Sequence, residues 1–163
     1  MKKLLVPFCL TFIVFIGSVG VSWSNVYEKG QNAYNSGDFA TALKEFRPLA
    51  EQGDALAQYQ LGLMYEKGEG VPQNDKTAVK WYRLAAEQGH SSAQTNLGTI
   101  YGTGKGVIQD FVYAHMWGNL GASNGNEVGV KVRETAAKNM TPADISTAQK
   151  LARECVRKKY KGC

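Results

Sequence analysis

The chain is poor in the residues from which most active sites are built. Among 163 residues there are two histidines, His90 and His115, and three cysteines, of which Cys9 falls in the first ten positions. A catalytic base or metal ligand needs partners that converge on it, and no acidic or cysteine cluster lies near either histidine in the sequence. The reading is therefore of no catalytic residue, no metal ligand and no cofactor. A strong excess of charge is also lacking. The net charge is +5, and setting aside Lys2 and Lys3 leaves +3, too little to argue for a nucleic-acid partner. A phosphate loop is missing too, although two glycine-rich stretches, "EKGEGVPQND" and "GTGKGVIQD", suggest one at first sight. Neither fits Gly-x-x-x-x-Gly-Lys-Ser/Thr, and neither follows a strand. Both read as a glycine helix stop, a turn and a helix start.

Long apolar runs are confined to the beginning. Lys2 and Lys3 precede an apolar stretch from Leu4 to Val21, followed by Ser22 and Ser24 at the small-residue positions of a cleavage site before Asn25. Residues 1–24 thus read as a signal peptide, and the rest as periplasmic or secreted. The alternative is an uncleaved anchor, for which the run is short and interrupted by Pro7 and two glycines. In an exported chain the remaining pair, Cys155 and Cys163, reads as a disulfide stapling the end of the chain, with Gly162 supplying the bend; free or intermolecular thiols are the other reading.

What is present is a repeat. Ala50-Glu51-Gln52-Gly53 returns as Ala86-Glu87-Gln88-Gly89, an offset of 36 residues. The same offset carries Leu61-Gly62 to Leu97-Gly98, Tyr65 to Tyr101, Gly70-Val71 to Gly106-Val107, Ala78 to Ala114 and Trp81 to Trp117. Within a unit, Ala57, Leu61 and Tyr65 recur every four residues, and Ala78, Trp81, Tyr82 and Ala85 follow the stripe of a helix with one buried face. Each unit is then two helices, the first from about Asp54 to Gly68 and the second from Asn74 or Asp75 to Gly89. Small residues Ala57, Gly62, Ala78 and Ala85 allow close packing, with Trp81 and Tyr65 filling the remaining space.

The earlier segment, with Gly30, Tyr34, "SGDF", Ala42 and Phe46, is a related hairpin with a shorter loop. The expected organisation is a tetratricopeptide-like hairpin at 25–53, repeat units at 54–89 and 90–125, and a helical cap at 126–163. The fold class is all-α: a solenoid of antiparallel helix pairs, about three hairpins, with a C-terminal capping helix. In the cap, Thr141, Pro142 and Asp144 mark a helix start, and Ile145, Ala148, Leu151, Ala152 and Cys155 form its buried stripe. In the second unit Tyr82 and Ala85 become Gly118 and Gly121, which calls for a close approach by the following helix.

The stretch "LAEQGDALAQYQLGLMYEKGEGVPQNDKTAVKWYRLAAEQG" resembles the Sel-one-like repeat family, relatives of the tetratricopeptide repeats with a longer loop between helices. The ending "RETAAKNMTPADISTAQKLAREC" is similar to the C-terminal segment of many bacterial members. The resemblance implies a scaffold whose partner is another protein or peptide. It also implies an alternative, because cysteine-rich relatives are associated with binding and hydrolysing β-lactams; they carry a cysteine pair in each repeat, which this chain lacks. If the first helix of each pair lines the concave binding face, its residues that do not pack inward are the expected contacts: Gln60 and Met64 in one unit and Asn96 and Ile100 in the next, positions that differ between units. The basic run Arg153, Arg157, Lys158, Lys159 and Lys161 either complements the end of its helix or draws the protein towards an anionic surface, membrane head groups included.

Overall fold

The computed structural model describes residues 19–163, with side chains from Ser24 onward. Of the leader expected over residues 1–24, residues 1–18 lie outside the described residues and 19–24 begin α1. Among those described are eight α-helices and no strands: α1 (Val19–Asn35), α2 (Phe39–Glu51), α3 (Ala55–Lys67), α4 (Asp75–Ala86), α5 (Ser91–Thr103), α6 (Phe111–Ser123), α7 (Glu127–Ala137) and α8 (Pro142–Arg157). Each helix from α1 to α6 packs on the next, α5 packs also on α7, and α8 lies against α6. This is an all-α solenoid of helix pairs closed by a terminal helix.

Local chemistry sets the helix ends. Asp54 accepts from the Ala57 amide at 2.7 Å, Asn74 from Thr77 at 2.9 Å and Asp110 from Tyr113 at 3.0 Å, each satisfying an amide with no partner inside its helix. Asn74, rather than Asp75, is thus the cap of α4. Thr141 and Asp144 form a reciprocal capping box at the start of α8. That helix stops at Arg157. Lys159 and Tyr160 adopt positive φ, and the Tyr160 amide returns to the Cys155 carbonyl at 2.8 Å. The reversal brings Cys163 back to Cys155, and the two are bridged with their Cα atoms 5.6 Å apart.

The glycine-rich loops join one unit to the next. Gly70 and Gly106 hold φ of 73° and 76°. A Cβ at Gly70 would lie 2.8 Å from the carbonyl oxygen of Phe39 at the start of α2, and one at Gly106 would lie 2.8 Å from Asp75 at the start of α4. Only glycine permits both the conformation and the approach. Lys105, between the glycines, reaches Asp75 at 3.5 Å and Glu66 at 3.9 Å. Its charge therefore serves the junction between units.

The core has two parts. Phe46, Leu49, Leu61 and Met64 gather between α2 and α3, and Tyr82, Leu97, Ile100, Trp117, Leu120 and Ala152 gather from α4 to α8. Small Ala57, Gly62, Ala78 and Ala85 are buried at the helix crossings, as close packing requires. The large fillers differ from expectation: Tyr82 and Trp117 are fully buried, whereas Trp81 and Tyr65 are half-buried. Tyr82 takes the space above Gly62. In the second unit the glycines give way to a helix: a Cβ at Gly118 would fall 2.8 Å from the Arg133 amide nitrogen and 3.0 Å from the Gly129 oxygen, both on α7. Gly118 is thus the close approach that the sequence called for. At Gly121 the nearest atoms to a Cβ are the Thr95 hydroxyl and the Ser91 carbonyl of α5.

Candidate functional site

The expected contact residues do not form a free surface. Met64 is 0% and Ile100 4% exposed, each three residues beyond a core leucine and turned with it into the two core clusters. Gln60 is buried as well, its amide donating to Gln31 Oε1 at 2.5 Å across the α1–α3 interface. Asn96 is half-buried beside Tyr59 and Tyr82. These positions vary between units because they meet different neighbours inside the solenoid.

The outward face of the first helices lies about a quarter-turn away. Advancing by the 36-residue period, it presents Leu56, Ser92 and Val128 in one row, Tyr59, Thr95 and Lys131 in the next, then Leu63, Thr99 and Thr135. Leu56 is 48% and Val128 54% exposed. Thr99, Lys131 and Thr135 are exposed, Tyr59 and Leu63 are half-buried, and Thr95 is covered by α6. The rows change chemistry from unit to unit, while buried Ala57/Ala93, Leu61/Leu97 and Gly62/Gly98 do not.

Between α3 and α5 the face is built of aromatic rings. Tyr59 stacks on His90 with centroids 4.5 Å apart and tilts against Tyr82 at 5.8 Å. The Tyr82 hydroxyl donates to Glu66 Oε2 at 2.5 Å. Burial raises the pKa of both tyrosines, and the Glu66 carboxylate raises it further. Both remain neutral hydrogen-bond donors at ordinary pH, and neither is poised as a base. His90 is itself a helix cap, its Nδ1 accepting from the Ala93 amide at 3.2 Å, and burial lowers its pKa. His115, 4% exposed on α6, is likewise lowered by burial and by Arg133. Among the described residues no three His, Cys, Asp or Glu side chains come together as a metal site.

Between α5 and α7 the face opens into a cleft of about 270 Å³. Its floor is apolar, with Gly102, Phe111, Ala114 and Val132, and Thr99, Lys131 and Thr135 stand at its edge. Gly118 stands out from the repeat in the sequence as the replacement of Tyr82, whereas Gly102, which replaces Glu66, does not. The signal was present in the alignment of the two units, but its meaning depends on Glu66 and Tyr82 touching.

The Sel1 repeat family model matches residues 55–90 and 91–126. A solved Sel1 repeat protein from Oxalobacter formigenes shares 34% identity with a TM-score of 0.62, over 69% of this chain and 88% of that one. The structure of c5321, a protective antigen present in uropathogenic Escherichia coli strains and displaying an SLR fold, gives 29% identity and a TM-score of 0.79, over 85% of this chain. The chain spans 31% of the length of c5321. No curated protein matches it significantly.

Proposed function

The chain belongs to the Sel1 repeat family, and on that premise we propose that it is a non-enzymatic scaffold or adaptor for protein–protein contacts, exported to the bacterial envelope or beyond the cell. One observation carries the reading: the rows led by Leu56, Tyr59 and Leu63 on α3 change chemistry at the equivalent positions of α5 and α7, while buried Ala57/Ala93, Leu61/Leu97 and Gly62/Gly98 repeat between α3 and α5. A fold kept constant beneath a varying exposed face is what a binding module requires. Affinity would come from a few side chains on that face, with the surrounding contacts excluding water. Export is supported by Lys2, Lys3 and the apolar run after them, and by the Cys155–Cys163 bridge, which suits an oxidising compartment. Among the described residues no helix is long and apolar enough to cross a membrane.

The test is photo-crosslinking in living cells, with the reactive residue placed at Leu56 on the outward face of α3 or at exposed Arg47 on α2. A defined protein adduct from Leu56 and none from Arg47 is expected. Equal labelling from both would count against the face. N-terminal sequencing of the exported protein separates cleavage before Asn25 from an uncleaved anchor.

A further inference from the structure

The cleft beside α7 is the product of two substitutions that make sense only together. In the first unit Tyr82 is wedged between α3 and α5, its ring over Gly62 and its hydroxyl on Glu66. One period later both members of that pair are glycine, Gly118 for Tyr82 and Gly102 for Glu66. The wedge and its acceptor have been removed at once, and α5 meets α7 directly. Val132 takes part of the vacated space, its Cγ1 2.8 Å from where a Cβ of Gly98 would stand. The rest is left as the open cleft of about 270 Å³.

Resting on the scaffold reading above, we propose that this cleft seats a single phenylalanine side chain from an acidic stretch of the partner protein, with Lys131 pairing with a carboxylate next to it. The volume lies just below the range of about 300–1,000 Å³ usual for small-molecule sites, and suits one side chain. The floor is apolar, and its equivalent in the preceding unit holds an aromatic ring. Aromatic anchors in desolvated pockets dominate binding energy at protein interfaces. Phenylalanine fits better than tyrosine because Glu66, which accepts from the Tyr82 hydroxyl, has become Gly102. The acidic neighbour follows from the charge at the rim. Lys131 is exposed and makes no ion pair among the described residues, not even with Glu127 one turn earlier. The next row carries the same sign: Lys138 stands where Glu66 stood two periods before.

Gly102 provides the decisive variant. A Cβ there meets only Ala114 Cβ, at 3.6 Å, an ordinary contact. Gly102→Leu therefore fills the cleft without moving the backbone and should leave Tm unchanged or raised. The probe is the capped pentapeptide acetyl-Gly-Asp-Phe-Asp-Gly-amide, titrated into the full exported chain and followed through the backbone amide resonances of Gly98, Gly102 and Val132. Binding is expected to weaken roughly tenfold or more in Gly102→Leu, as expected when an anchor loses its pocket. Replacing the peptide's phenylalanine with alanine should do the same. Lys131→Gln should weaken binding and reduce its dependence on salt. The proposal is overturned if the peptide does not bind, or if it binds Gly102→Leu as well as wild type. Phenylpropionate binding as tightly as the peptide would make the cleft a small-molecule site, and self-association abolished by Gly102→Leu would make a second copy the occupant; either also overturns it. Crosslinking from Leu56 does not depend on the cleft, so the scaffold reading stands or falls separately.

Discussion

At His90 and His115 burial works against protonation, and the two imidazoles make stability depend on pH. Both sit below their ordinary value of 6.5, because burial disfavours the charged ring. At His115 the neighbouring Arg133 adds to the effect. At His90 protonation would also place a hydrogen on the Nδ1 that accepts from the Ala93 amide. As pH falls through about 6.5 the unfolded chain takes up these protons before the folded one, so stability drops below that point and is level above it. Asp38 and Asp144, lowered by hydrogen bonds at their helix caps, act only below their ordinary value of 3.8. The denaturant midpoint should therefore fall between about pH 7 and pH 5. The repeat supplies the control: His115→Val and His90→Asp install the residues of the preceding unit, Val79 and Asp54, and should flatten that slope. An unchanged slope in the double variant would refute the assignment.

Between elements the decisive dimension is the separation of helix axes, and glycines set it. A Cβ at Gly129 would lie 2.6 Å from the Ala122 amide nitrogen and 2.7 Å from the Gly118 oxygen, both backbone atoms that have no room to yield. Gly129→Ala gains helix propensity worth roughly 1 kcal/mol, but forcing α6 and α7 apart costs about 1–3 kcal/mol, so a net loss of stability is expected. Gly102→Ala meets no such obstacle and should be neutral or stabilising. Thermal unfolding of the two variants side by side checks this; equal effects would show that propensity, not helix approach, governs these glycines.

For the whole molecule, stability depends on how the open end of the solenoid is closed. A repeat buries its apolar side only against a neighbour, so the last one needs a cover. The buried Ala148, Ala152 and Cys155 of α8 supply it beside Trp117 and Leu120. The Cys155–Cys163 bridge holds the chain end against that cover. Replacing both cysteines with serine should cost ~2–3 kcal/mol in the chain-entropy model, read as a lower guanidinium midpoint. Reductant should move wild type to the same place; a midpoint insensitive to both changes would mean the bridge constrains nothing.

The period of 36 residues, the two helices of each unit and most of the caps are legible in the sequence, because they depend on spacing and on side chains that bond their own backbone. Which side of α3 faces outward is not. Ala57, Leu61 and Met64 enter one core cluster, Tyr59 and Leu63 pack half-buried against the other and Leu56 is exposed, so apolar residues ring the helix and periodicity marks no single face. Packing against α2 and α4 chooses the inward side, and that choice buries Met64 and Ile100. The cleft is hidden for a related reason. Gly102 and Gly118 are 16 positions apart, and only the fold shows that they replace two side chains that touch. Local chemistry determined the units; contacts between distant positions decided which surface was left exposed.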